Sequence, residues 1–386
     1  MAKSNEKQAK LEFEKIEKKQ EKKILKEEDV VGKITDLSKD IYKVILQKQR
    51  PQLKMPLRSL ANVHYDPGIG YFELDNQFKS RTLTVNTVKT FAQTLRLMNE
   101  SKKLIETDDI MTKREAYYVS KNWGEARFTE QPESDTVMDD VEAMFMVNRE
   151  RLGFIPEEKG GDVSGRLIVI DKSPDTGKEI KIDCTKMGTG AYSIPSSVEH
   201  LEFETNADFI LAIETAGMYQ RLVKHAYWKK ANCIIISLGG VPTRACRRFI
   251  RRLSDAKKLP VYCFNDGDPY GWLNIYRTLK VGSGNAAHIN KYFCVPNAKF
   301  IGITAQDIID YKLPTHPLKD IDIKRVQDGM KNDPFVKQYK EWQKALSDLV
   351  KMKKRAEQQA LAVHGLNYVI SDYLPEKLSN PKKWLP

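Results

Sequence analysis

The chain has 386 residues, enough for two or three domains, and a hydrophobic fraction of 41%, which suits ordinary cores and is far too low for a membrane protein. No apolar run approaches the about 18 residues that span a bilayer. The net charge of +12 and the pI near 9.2 favour polyanionic partners, chiefly nucleic acid, although many basic proteins bind none.

The N-terminal stretch "MAKSNEKQAKLEFEKIEKK" has no apolar centre, so it does not read as a secretory signal, and a cytoplasmic protein is expected. Residues 1–30 are charged and helix-favouring, with few apolar side chains. They read either as a solvated helix or as a docking arm for a partner. A short amphipathic helix follows over Ile34–Ile45. The stretch "PQLKMPLRSLANVHYDPGIGYFELDN" then mixes prolines, a glycine turn and short strand-like pieces.

The spacing of Val88, Phe91, Leu95 and Met98 predicts a helix in "VNTVKTFAQTLRLMNESKKLIETDDI". Asp108 and Asp109 then offer an N-cap for a second helix, "IMTKREAYYVSKNW". A third, "SDTVMDDVEAMFMVNRERLGF", has Ser134 or Asp135 as its expected cap. Helices joined by short turns in a basic setting suggest a helix-turn-helix module. Residues 163–184 read as a β-hairpin whose turn is "SPDTGKE".

From residue 208 the pattern alternates. "DFILAIE", "ANCIIISLGG" and "LPVYCFND" are apolar strands. "TAGMYQRLVKHAYWKK", "PTRACRRFIRRLSDAKK" and "PYGWLNIYRTLKVG" are the helices after them, and "KYFCVPNAKFIGI" closes with strand character. Such alternation predicts a parallel sheet covered on both faces. The tail from Asp320 to Pro386 reads as helical. Cys184, Cys233, Cys246, Cys263 and Cys294 form no CxxC pair, and no histidines lie at HxxxH or HExxH spacing. Buried thiols fit this pattern better than disulfides or zinc.

In a parallel α/β sheet, functional groups gather outside the carboxyl ends of the strands. Glu214 ends the first strand, and Asp266 and Asp268 of "FNDGDPYG" end the third. Three converging carboxylates repel unless a cation neutralises them, and an oxygen-only set suits Mg²⁺. Gly267 would allow a tight turn between the aspartates, and Pro269 can start the next helix. Turn chemistry alone could explain Asp-Gly-Asp-Pro. That reading weakens because Glu214 occupies the matching place on another strand. "GSGNAA" at Gly282–Ala287 imitates a dinucleotide fingerprint but follows a helix, and no GxxxxGK[ST] is present. Arg244, Arg247, Arg248, Arg251 and Arg252 share one helix, for either phosphate contact or a solvated face.

A glutamate and a DxD pair at parallel strand ends resemble a Toprim domain. Together with "TKREAYYVSKNW", "ILAIETAGMYQRL", "GGVPTRACRRFIRRL", "FNDGDPYGWLNIY" and "RAEQQALAVHGLNYVISDYLPEKL", they make the chain resemble the A subunits of archaeal topoisomerase VI. These are relatives of the meiotic double-strand-break transesterase. The resemblance covers most of the chain from about residue 70.

It implies an α/β multidomain fold: a charged helical extension over 1–70, a winged-helix, CAP-like domain over 71–155, and a Toprim domain over 156–386 with a hairpin insertion and C-terminal helices. It implies that Tyr118 is the nucleophile, that Arg114 assists it, and that Glu214, Asp266 and Asp268 hold Mg²⁺. It also implies a homodimer on double-stranded DNA, joined by two GHKL-type ATPase B subunits in an A2B2 assembly, cytoplasmic and associated with the nucleoid. One departure stands out: Thr215 follows Glu214, where the resemblance leads one to expect a charged residue. On a helix Arg114, four residues before Tyr118, shares its face and can stabilise a phenolate and the phosphate it attacks. Tyr117 falls on another face, where it packs or supports. A Toprim-type nuclease with a structural Tyr118 and a non-enzymatic winged-helix DNA binder are the alternatives. A covalent protein–DNA adduct separates the first reading from both.

Overall fold

The computed structural model describes residues 29–156 and 159–386. The docking-arm reading of the N-terminal stretch therefore lies outside the described residues. Asp29 caps helix α1 (Val30–Leu46), its carboxylate accepting from the Gly32 N–H at 2.7 Å. Val30, Ile34 and Ile41 repeat at helical spacing and are the buried side chains of that helix. Strands β1 (Gln52–Pro56), β2 (Val63–Asp66), β3 (Tyr71–Leu74) and β4 (Phe78–Thr82) form two antiparallel ladders, β1 with β4 and β2 with β3.

Helix α2 (Val88–Thr107) buries Phe91, Leu97, Met98 and Leu104. The expected face is turned slightly: Val88 is exposed and Leu95 only partly buried. Asp108 does not cap the next helix. It ends α2 in the left-handed conformation, φ 53°, which aspartate tolerates better than most residues. After β5 (Met111–Thr112), the true cap of α3 (Lys113–Val119) is Thr112. Its hydroxyl accepts from the Glu115 N–H, and the Glu115 carboxylate accepts from the Thr112 N–H, closing a capping box.

Helix α4 (Gln131–Phe145), by contrast, starts earlier than expected, with Glu130 at its cap position rather than Ser134 or Asp135. Pro132 suits the first turn, where an N–H has no helical partner. It also stops earlier, at left-handed Met146, and a 3₁₀ turn over Arg149–Leu152 precedes β6 (Phe154–Ile155). These helices pack on one core that includes Leu97, Phe128, Met138, Val141 and Phe154.

The second half is built on a six-stranded sheet. Its members are β7 (Asp162–Gly165), β10 (Tyr192–Ser193), β12 (Phe209–Ile213), β13 (Cys233–Ser237), β14 (Val261–Phe264) and β15 (Ala298–Phe300). The order is β10-β7-β13-β12-β14-β15, with β13, β12, β14 and β15 parallel and the two edge additions antiparallel. Every residue of β12 and β13 is buried, as continuous apolar runs with helices on both faces require. The hairpin is narrower than 163–184: β8 (Ile168–Lys172) and β9 (Glu179–Asp183) pair with each other, and β11 (Glu202–Glu204) extends them. Residues 162–165 belong to the main sheet instead.

The helix expected after the first strand is broken in two, α5 (Ala216–Lys224) and α6 (Tyr227–Lys230), at left-handed Ala226. The run "KYFCVPNAKFIGI" is strand only at Ala298–Phe300, because Asn290–Phe293 is helical. The tail is largely helical, with helices at Asp320–Asn332, Lys340–Met352 and Leu374–Ser379. Trp342 docks it on Trp272, Tyr276 and Phe300, with ring centroids 5.8, 5.4 and 5.4 Å away. Each such pair adds about 0.5–1.5 kcal/mol beyond its buried area.

The arginines of α7 (Arg244–Lys257) are neither a solvated face nor a phosphate grip. Arg248 forms a two-pronged pair with Glu199 at 2.7 and 2.6 Å, and Arg251 donates to the Cys294 carbonyl at 2.8 Å. Arg252 donates to the Val198 carbonyl, and Arg247 lies against the Phe293 ring. Arg244 reaches the first half of the molecule and pairs with Glu142 of α4. All five cysteines are buried and free. Among the described residues no helix is long and apolar enough to cross a membrane.

Candidate active site

Two places carry the predicted chemistry. The first is α3. Tyr118 is 57% exposed, whereas Tyr117 is half-buried and anchored. The Tyr117 hydroxyl donates to the Thr129 carbonyl at 3.2 Å, and the Lys121 ammonium sits 3.9 Å from its ring centroid. The two rings touch, with centroids 5.3 Å apart. Lys113 is taken up by Asp135 of α4 at 2.7 Å, which fixes α3 against its neighbour. Arg114 is exposed, and among the described residues it has no ion pair or hydrogen bond. The adjacent cations thus divide: Lys113 and Lys121 are structural, and Arg114 remains available beside Tyr118.

The second place is the sheet. The connection after β12 leads to β13 on one side, and that after β14 leads to β15 on the other. The crevice between the carboxyl ends of β12 and β14 is therefore the topological switch point, where α/β sheets bind their ligands. Glu214 follows β12, Asp266 and Asp268 follow β14, and all three are buried. The Asp266 N–H donates to Glu214 Oε2 at 3.0 Å. Burial, and then the neighbouring Asp266 and Asp268 charges, push the Glu214 carboxyl well above the usual carboxylate range. Asp266 is also raised, by burial and by Asp268 and Glu357, against the pull of the Gln358 N–H and Arg355.

The glycines here serve close approach. A Cβ on Gly271 would stand 2.8 Å from Glu214 Oε2, and one on Gly267 would stand 2.7 Å from Ile303 Cγ2. Gly267 is not there for a tight left-handed turn: its φ lies outside that region, and the requirement is room. Pro269 does open the next helix. Asp268 caps it, with Oδ1 accepting from the Gly271 N–H at 2.7 Å.

The residues that sequence reasoning misses come from the tail. Arg355 donates to Asp268 Oδ2 at 3.2 Å, and Ala356 bridges Gly267 through two backbone hydrogen bonds. The Gln358 N–H donates to Asp266 Oδ1 at 2.8 Å. Thr215 caps α5 and donates to Gln358 Oε1 at 2.8 Å. The one available signal is the motif "RAEQQAL", whose residues carry no chemistry that would single them out in a sequence. The acids thus converge, but on protein donors: among the described residues no three His, Cys, Asp or Glu side chains close into a ready cage for an ion.

Comparison with known proteins decides the family. Residues 89–154 match the family described as Type IIB DNA topoisomerase. Residues 157–207 match the all-beta domain of the DNA topoisomerase VI alpha chain, and 209–378 match the Toprim domain shared by the topoisomerase 6 A subunit and Spo11. The A subunit of type 2 DNA topoisomerase 6 from Methanocaldococcus jannaschii is 56% identical, over 92% of this chain and 95% of the relative. Proteins of the same name from Methanothermobacter thermautotrophicus and Pyrococcus abyssi are 36% and 37% identical, over 91% and 92% of this chain and 97% and 94% of theirs. The chain belongs to the topoisomerase VI A-subunit family. It is the DNA-cleaving and rejoining subunit of a type IIB topoisomerase, and its sheet half is a Toprim domain.

Proposed function

We propose that Tyr118 is the nucleophile of this topoisomerase and Arg114 its assistant. The observation that carries this is the exposed Tyr118 one turn after an unpaired, exposed Arg114, beside a Tyr117 already committed to Thr129. The Tyr118 oxygen attacks a DNA phosphorus. The bond from phosphorus to the 3′ oxygen breaks, the proton passes from the phenol to the released 3′ hydroxyl, and the 5′ phosphate stays on the tyrosine. Reversal reseals the strand. The phosphotyrosyl bond conserves the energy of the one broken, so ATP has no place in the bond-breaking step. Arg114 offers an exposed, unpaired guanidinium to the charge building on the phosphate.

Glu214, Asp266 and Asp268 form an oxygen-only donor set, and the Glu214 and Asp266 carboxyls are raised first by burial and then by the neighbouring acids. That set fits Mg²⁺, which would supply charge neutralisation at the phosphate or the leaving oxygen. The division into 1–70, a winged-helix 71–155 and 156–386 belongs to the same reading, with α2, α3 and α4 as the helices and the β1–β4 ladder beside them. So do a homodimer that cuts one strand per copy, Tyr118 of one copy meeting the acids of the other, a GHKL-type ATPase B subunit completing A2B2, and a cytoplasmic, nucleoid-associated site of action.

The test is a trapping experiment. The chain is mixed with its ATPase partner, ATP, Mg²⁺ and supercoiled DNA, then denatured. Protein on the 5′ ends, lost in Tyr118→Phe, supports the reading. Cutting without an adduct would favour the nuclease alternative.

A further inference from the structure

We propose that Gln358 is the positioning residue that sets the separation of Glu214 and Asp266; this rests on the metal-site reading above. Gln358 is completely buried, and its polar groups point three ways. Its N–H holds Asp266 Oδ1 at 2.8 Å, its side-chain amide donates to the Phe264 carbonyl at 2.5 Å, and its amide oxygen accepts from the Thr215 hydroxyl at 2.8 Å. Phe264 is the last residue of β14, and Thr215 follows Glu214 beyond the end of β12. One side chain therefore ties together the two strand ends that carry the acids.

The tie has a reason. Within the sheet, strand pairing fixes the spacing of β12 and β14. Its final rung is the Glu214 N–H donating to the Phe264 carbonyl at 3.1 Å. Beyond it the chains part, towards α5 on one side and the Asp268-capped helix on the other. Two buried carboxylates at such a fork drive each other apart. A neutral amide supplies one donor and one acceptor across the gap without adding a fourth charge. Glutamate at this position would lose the donor to Phe264 and add that charge; methionine would fill the space, keep the backbone bond to Asp266 and lose both side-chain ties, to Phe264 and to Thr215.

The test uses Gln358→Met in the full chain. Two quantities are read: the rise in melting temperature caused by Mg²⁺, and the Mg²⁺ concentration for half-maximal DNA cleavage with the ATPase partner. Both should need about tenfold more Mg²⁺, the usual loss when a residue orienting a metal ligand is removed. Cleavage at saturating Mg²⁺ and DNA affinity should stay near the parent values. Parent Mg²⁺ dependence, or an equal loss of cleavage at every Mg²⁺ concentration, would overturn the proposal. Glu214→Gln is run alongside. If it keeps the Mg²⁺-induced rise, the metal-site reading itself fails; if it loses the rise while Gln358→Met keeps it, only the role of Gln358 fails. Should Gln358→Met not fold, Thr215→Val removes one end of the tie at a half-buried position. It should shift the Mg²⁺ requirement in the same direction and by less, and no shift would count against the proposal.

Discussion

Glu142 of α4, itself buried, pairs with the half-buried Arg244 of α7 across the two halves of the molecule. Glu142 also accepts from the Arg149 N–H at 2.7 Å and faces the His288 ring at 3.4 Å. Glu142→Gln should cost about 3 kcal/mol, because the buried Arg149 and the half-buried Arg244 would both lose this carboxylate as a partner. Thermal unfolding at neutral pH measures it. A loss below about 1 kcal/mol would mean that the halves do not depend on this contact.

The same residue predicts an acid limb. Burial alone would raise the Glu142 carboxyl, but Arg244, Arg149 and His288 outweigh it and hold it well below the usual range. Asp140 is also lowered, by Arg81, Lys79 and Arg58 against its burial. A carboxylate depressed on folding adds stability above its unfolded pKa, about 4, and that stability is lost as pH falls towards the folded value. Glu150, which burial raises, works in the opposite sense. Unfolding free energy should therefore drop below about pH 5, and the drop should be shallower in Glu142→Gln or Asp140→Asn.

Tyr118→Phe should abolish cleavage and relaxation while leaving folding and DNA binding intact, because the Tyr118 side chain is mostly in water. Tyr117→Phe removes one hydrogen bond to Thr129, worth about 1 kcal/mol, and should keep at least part of the activity. Covalent adducts formed by Tyr118→Phe would overturn the assignment.

Glu214→Gln and Asp266→Asn should each lower cleavage by orders of magnitude. Without metal, both should be as stable as the parent or slightly more so, since each relieves repulsion among buried acids. Melting in EDTA and cleavage over a Mg²⁺ series measure the two effects. Full activity at limiting Mg²⁺ would rule out the site.

The N-terminal stretch is tested by truncation. Asp29 caps α1, so the shortened chain should begin at Asp29 and keep that cap. If the preceding residues dock the ATPase subunit, co-purification with it and ATP-dependent relaxation should fall together, with folding and DNA affinity nearly unchanged. Normal assembly and turnover would leave the solvated-helix reading standing.

The sheet was legible because its strands are unbroken apolar runs, and Glu214, Asp266 and Asp268 because acids at the ends of such runs serve no core. Asp108 misled because aspartate favours both an N-cap and a left-handed helix end. The α7 arginines misled because helical spacing defines a face and not what packs on it; here Glu142, Glu199, Tyr292 and Phe293 cover it. Arg355 and Gln358 were invisible as partners because they meet Asp268 and Asp266 from 87 and 92 residues away.

That distance has a consequence for how the protein is made. A nascent chain exposes the tyrosine helix early and the Asp-Gly-Asp loop later, and Arg355, Ala356 and Gln358 leave the ribosome later still. Until they do, Asp268 lacks its arginine, Gly267 its backbone partner and Asp266 its amide donor. A chain broken off during translation before residue 355 would carry the exposed Tyr118 but lack the tail contacts that order the acid crevice. The order of synthesis thus leaves the acid crevice without its supporting contacts until almost the whole polypeptide exists.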